Sequence, residues 1–166
     1  MVVFNYSGRE INAKIVYYGP GLSGKTTNLE KIYGQVPDDR RGKMVSMKTR
    51  SDRTLFFDFL PIDLGEIGGF KLRVQGFTVP GQVQYGLTRR YVLAGADGVI
   101  FVANSDPDCV GENPESVDDL KENLAVNGLD PKSIRPGSTT IASSESAGTW
   151  RSAGCPTRPN WTTRSP

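Results

Sequence analysis

The chain predicts an α/β fold, a mixed and mostly parallel sheet flanked by helices, on three observations. Short apolar runs of strand length alternate with segments whose apolar residues recur at helical spacing. A glycine-rich turn, Gly19 to Thr26, joins the first run to the first helix-like segment. Two later runs, Leu55 to Ile62 and Phe70 to Val79, flank a stretch with three glycines, which reads as a hairpin and adds an antiparallel edge.

In chain order, Ile11 to Tyr18 carries Ile15, Val16, Tyr17 and Tyr18, the pattern of a buried strand. Lys25 to Tyr33 has neither Gly nor Pro and sets Leu29 and Ile32 on one helical face. Gln35 to Arg53 is polar and aperiodic, a loop of functional length. After the hairpin, Tyr85 to Leu93 predicts a short helix through Leu87, Tyr91 and Val92. Gly98 to Ala103 is a strand buried on both faces. Ser116, with Asp119 three residues on, opens a helix through Leu124 toward Asn127 in the manner of a capping box.

Composition narrows the chemistry. The 166 residues suit one domain, and 37% hydrophobic content suffices for a core where it is concentrated. It is concentrated in residues 1–134. Residues 135–166 hold twelve Ser or Thr, four Pro and four Arg, with no Leu, Val or Phe, and predict a disordered tail. That tail carries a charge of +3 and leaves the rest at −1, so the basic balance is no argument for nucleic acid. There is no His, which removes the commonest general base, and two Cys support neither a disulfide framework nor a four-ligand zinc site. No stretch approaches the length of an apolar membrane span, so a cytoplasmic protein without an integral membrane segment is expected.

Gly19-Pro20-Gly21-Leu22-Ser23-Gly24-Lys25-Thr26 fits G-x-x-x-x-G-K-[ST], the phosphate-cradling loop, and stands between a strand and a helix as that loop must. Its glycines let the backbone approach phosphates whose charge meets N–H groups at the helix start. Lys25 reaches the β and γ phosphates, and Thr26 offers a hydroxyl to Mg2+. Leu22, Ser23, Thr27 and Gly81 complete the expected nucleotide-binding set.

Two further segments fit the sensing of a γ-phosphate. Arg53-Thr54 ends the long polar loop: Thr54 would be the second metal-side hydroxyl, and Arg53 a cationic group acting in cis. A solvated Arg and a strand-starting Thr is the plainer alternative. Thr78-Val79-Pro80-Gly81-Gln82 resembles the Asp-x-x-Gly-Gln element of Ras-like proteins, with Gln82 orienting the attacking water, although Pro-Gly would make a type II turn in any case. Thr78 stands where an acidic residue is usual. Either Thr26 and Thr54 suffice for the metal, or a carboxylate such as Asp58 helps from the neighbouring strand.

The segments REINAKIVYYGPGLSGKTTNLEKIYGQVP, SDRTLFFDFLPIDLGEI and FTVPGQVQYGLTRRYVLAGADGVIFVANS, in that order, resemble the MglA-like gliding-motility small GTPases, a subfamily of the Ras-like P-loop proteins. The resemblance covers about residues 8 to 134 and includes the TVPGQ departure. It implies a G domain that binds GTP and GDP with Mg2+ and hydrolyses GTP through positions matching Arg53 and Gln82. It implies a Roadblock-fold, MglB-like activating partner that repositions the switches, polarity or motility effectors, and recruitment to cell poles. A nucleotide- or partner-binding module without turnover, or another P-loop NTPase, are the rival readings.

The family's guanine-reading Asn-Lys-x-Asp motif and the C-terminal strands and helices around it are absent from the sequence. A change of reading frame near Arg135 accounts for the break in composition; a genuine disordered extension is the alternative. On either account a sheet edge is expected to lie uncovered, and the chain to be unstable or to bind nucleotide poorly.

Overall fold

The computed structural model describes residues 3–48, 54–82, 85–107, 110–129 and 136–141. Its strands are β1 (Val3–Asn5), β2 (Glu10–Tyr18), β3 (Val45–Lys48), β4 (Thr54–Ile67), β5 (Phe70–Thr78), β6 (Gly98–Asn104) and β7 (Pro136–Ile141). Its α-helices are α1 (Lys25–Gln35), α2 (Gly86–Leu93) and α3 (Glu112–Val126). One sheet runs β3-β4-β5-β2-β6-β7, with β1 paired to the start of β2. The pairs β2–β5, β2–β6 and β6–β7 are parallel, whereas β3–β4 and β4–β5 are antiparallel. This is the α/β, mixed and mostly parallel sheet that the sequence predicts.

Alternation along the central strands assigns the two faces. Val16, Tyr18 and Val99 join Val79, Val92, Leu93, Ala96 and Leu124 in a core beneath α2 and α3. Tyr17 and Val102 join Leu29 and Leu60 in a second core beneath α1. A parallel sheet covered on both faces needs apolar residues at successive positions, which is why β2 and β6 read as continuous apolar runs.

The hairpin is longer and tighter than its sequence suggests. β4 continues to Ile67 and β5 begins at Phe70, leaving Gly68 and Gly69 as a two-residue turn with φ of 59° and 80°. Positive φ at both central residues matches the twist of antiparallel strands. Within the polar segment after α1, residues Asp38–Arg40 form a 3-10 turn and β3 pairs antiparallel with β4. The expected loop is therefore in part an edge strand.

α3 begins at Glu112 rather than Ser116. Pro114 falls in the first turn, where its missing N–H would have had no partner within the helix. Asn113 ties this turn to β6, accepting from the Asn104 N–H and donating to the Asn104 carbonyl, both at 2.8 Å.

The β6 edge, expected to lie uncovered, is paired. Pro136–Ile141 runs parallel to it, with Val99 opposite Pro136 and Asn104 opposite Ile141. For these six residues, strand replaces the expected disorder. Thr139, Thr140 and Ile141 are β-branched and suit a strand, and a parallel edge offers them a ladder of open backbone groups. The remaining residues of the tail lie outside the described set.

Candidate nucleotide and metal site

The glycine-rich loop connects the C-terminal end of β2 to α1, and the end of β5 lies beside it. Ligands of open α/β sheets bind at this end of the strands. Gly19, with φ of 149°, passes so near β6 that a Cβ there would stand 2.1 Å from the Val102 carbonyl oxygen. Gly24 caps α1 with φ of 88°, no side chain caps the helix, and no acidic residue sits in its first turn. The first N–H groups of α1 therefore stay oriented toward the loop for an anion to use.

Lys25 is buried, with its ammonium donating to the carbonyls of Gly19, at 3.0 Å, and Pro20. Burial, aided by the nearby Arg89 charge and opposed by Asp58, pushes its pKa down to about 7. Ser23 is buried and donates to the Pro20 carbonyl at 3.0 Å, which rigidifies the turn from within. Leu22 is exposed and holds a left-handed φ of 56°. Thr27 is exposed on α1, one residue past the half-buried Thr26.

Thr26 leads to a cluster of oxygens. Its hydroxyl donates to Asp58 Oδ2 at 2.5 Å, and Thr78 donates to that same oxygen at 2.7 Å. Ser46, in β3, donates to Asp58 Oδ1, while the Asp58 N–H donates back to Thr78 Oγ1 at 2.9 Å. Asp58 and Thr78 are fully buried. One carboxylate on β4 thus joins the phosphate loop, the end of β5 and the edge strand. Asp58, the carboxylate considered on sequence grounds, stands hydrogen-bonded to Thr26. Carboxylate and hydroxyl oxygens are the hard donors that suit Mg2+. Among the described residues no group of three or more His, Cys, Asp or Glu forms a metal cluster.

The Thr78-to-Gln82 turn closes directly on the loop. A Cβ on Gly81 would lie 2.4 Å from Gly21 Cα and 2.5 Å from Gly21 N, so only glycine permits this approach. Gln82 follows at once, and its carbonyl accepts from the Tyr85 N–H at 3.2 Å, leading into α2. The structure therefore brings Gly19, Gly21, Leu22, Ser23, Gly24, Lys25, Thr26, Gly81 and Gln82 to one end of the sheet. Thr54 is the first residue of β4, where its backbone pairs opposite Lys48 in β3. Arg53 lies outside the described residues.

Sequence reasoning missed two contributors. Ser46 lies in a segment whose sequence reads as loop, and Arg89 in a helix whose prediction rests on its apolar residues alone. Neither carries a local signal, since each acts through residues distant in sequence.

No protein-family model matches the chain. Over 134 residues it is 55% identical to the mutual gliding-motility protein MglA of Myxococcus xanthus strain DK1622, a match covering 81% of this chain and 69% of that protein. Among the described residues no helix is long and apolar enough to cross a membrane. With this identity and coverage, and with a phosphate loop correctly seated between a parallel strand and its helix, the chain belongs to the MglA-like gliding-motility family of small P-loop GTPases.

Proposed function

We propose that this chain binds GTP with Mg2+ and hydrolyses it, acting as a two-state switch in cell polarity and gliding motility. The observation that carries the reading is the seating of Gly81, the residue before Gln82, on Gly21 of the phosphate loop. Gly19 to Thr27 wraps the phosphates, Lys25 supplies positive charge, and Gln82 orients the attacking water. Arg53 adds charge in cis as the transition state develops, and Gly81 offers its N–H to the γ-phosphate.

Thr26 and Thr54 would hold Mg2+ from the protein side, with Asp58 as the nearby carboxylate. When bound, the ion neutralises charge on the β and γ phosphates. Loss of the γ-phosphate releases the Arg53-Thr54 segment, which gives the switch its two states. A Roadblock-fold, MglB-like partner that repositions the switches, effectors of polarity or motility, and cytoplasmic residence with recruitment to the poles complete the reading. They rest on the family.

Purified full-length protein incubated with γ-labelled GTP and Mg2+ tests the proposal. Phosphate release that falls at least tenfold in Gln82→Ala is expected, on the order seen when one transition-state group is removed. Tight GTP retention with no release would favour a binding module without turnover. Competition by ATP equal to that by GTP would favour another NTPase.

A further inference from the structure

Arg89 is a buried cation in α2, only 3% exposed, and its guanidinium is committed on every side. Nε donates to the Pro80 carbonyl at 2.9 Å and Nη2 to the Gly81 carbonyl at 2.8 Å. Nη1 pairs with Asp119 of α3. Asp119 also accepts from the Tyr18 hydroxyl, which in turn accepts from Asn123 Nδ2 at 3.0 Å. The guanidinium carbon stands 5.8 Å from the centroid of the Tyr18 ring.

Burying a full charge here costs more than burying a leucine, so hydrophobic packing of α2 does not require it. What an arginine adds is a rigid planar fork that fixes several acceptors at once. The two carbonyls it holds are consecutive, and each shares a rigid peptide plane with the next N–H. Holding the Pro80 carbonyl orients the Gly81 N–H, and holding the Gly81 carbonyl orients the Gln82 N–H and the base of its side chain. Gly81 itself sits against Gly21 of the phosphate loop.

We infer that Arg89 is a positioning residue that locks the Pro80-Gly81-Gln82 turn in its working orientation and anchors it to α3 through Asp119. The inference rests on the hydrolytic reading for its effect on turnover, but its structural part stands independently. Arg89 contacts none of the reacting groups and acts through the turn. Charge alone would not do this work, because a lysine offers a point charge that cannot hold two carbonyls and a carboxylate in one plane.

The test compares full-length wild type, Arg89→Lys, Gln82→Ala and the double variant. Amide hydrogen exchange and single-turnover hydrolysis of bound GTP with Mg2+ are the two readouts, with GDP affinity as control. In Arg89→Lys, exchange is expected to rise at residues 79–82 while β2 and β6 keep their protection. GDP affinity should stay within about twofold, and hydrolysis should fall about 10- to 100-fold, the scale of a misplaced catalytic group. Because Arg89 and Gln82 act through the same turn, the double variant should lose much less than the product of the two single losses. Asp119→Asn leaves the fork on both carbonyls but takes the charge from its anchor, and should shift exchange and hydrolysis the same way by less. It decides the matter if Arg89→Lys does not fold.

Unchanged exchange in the turn overturns the inference, as does a rise spread evenly through β2 and β6. Loss of hydrolysis that multiplies with that of Gln82→Ala also overturns it. If wild type binds GTP and releases no phosphate, the hydrolytic reading fails, and the exchange data still decide whether Arg89 holds the turn.

Discussion

Thr26 of the phosphate loop donates its hydroxyl hydrogen to Asp58, 32 residues further along the chain, at 2.5 Å. This contact gives the site a carboxylate although Thr78 stands where an acidic residue is usual. That carboxylate stands on β4, the strand adjacent to β5, and Thr78 donates to it at 2.7 Å.

Asp58→Asn should therefore weaken the Mg2+ dependence of nucleotide retention while keeping the fold. The amide is isosteric and can still accept from Thr26, but it brings no charge to a hard cation. GDP release measured with and without EDTA reads this directly. In wild type the chelator should speed release strongly; in Asp58→Asn the two rates should converge. Equal chelator effects in both proteins would remove Asp58 from the metal site.

Lys25 makes stability depend on pH. Its folded pKa is lowered from 10.5 to about 7, chiefly by burial, with the Arg89 charge adding to the effect. Between those values the unfolded chain binds more protons, so this group lets stability rise with pH from about 7 to 10.5. Lys25→Met removes the buried charge at similar volume. Without added nucleotide the variant should be more stable at pH 7 by about 1–4 kcal/mol. That advantage should shrink toward pH 10, and nucleotide binding should be lost. Thermal melts across this range check the sign; an advantage that grows with pH would contradict it.

Gly81→Ala and Gly19→Ala should fail differently. At Gly81 the new methyl meets Gly21 backbone 2.4 Å away, and the turn can yield by lifting off the loop. Hydrolysis should fall sharply with a stability cost of about 1–3 kcal/mol. At Gly19, the first loop residue after β2, the methyl meets a β6 carbonyl oxygen at 2.1 Å and the backbone has φ of 149°. That cost should exceed the Gly81 cost by about 1–3 kcal/mol of added backbone strain. Urea denaturation of both variants ranks them.

Tyr18→Phe isolates the polar link under α3. Burial and the hydrogen bond to Asp119 push the Tyr18 pKa up, so the hydroxyl stays a donor at all working pH values. Its loss leaves Asn123, itself buried, without that acceptor. A destabilisation of about 1–3 kcal/mol is expected by chemical denaturation. A change below about 0.5 kcal/mol, the scale of ordinary surface substitutions, would mean that water replaces the contact.

Much of this architecture was legible locally. The phosphate loop declares itself because close backbone approach demands glycine at fixed spacing, and Lys25 and Thr26 follow at the helix start. β2 and β6 show as apolar runs because both of their faces are covered. The capping-box spacing of Ser116 and Asp119 misled the reading of α3, because the pattern falls inside a helix that already begins at Glu112. The strand at β7 was illegible for another reason: a Ser/Thr-rich segment has little drive to form a strand alone, and pairs only where an edge with open N–H and C=O groups receives it.

By itself, then, the sequence determined the fold class, the phosphate loop and the kinship with gliding-motility GTPases, because those depend on periodicity and on residues close together in the chain. Only the tertiary structure decided that Asp58 meets Thr26, that Gly81 closes on Gly21, and that Arg89 grips the turn from α2. Those contacts join residues on different elements, and their existence depends on sheet order and helix placement, which no local pattern encodes.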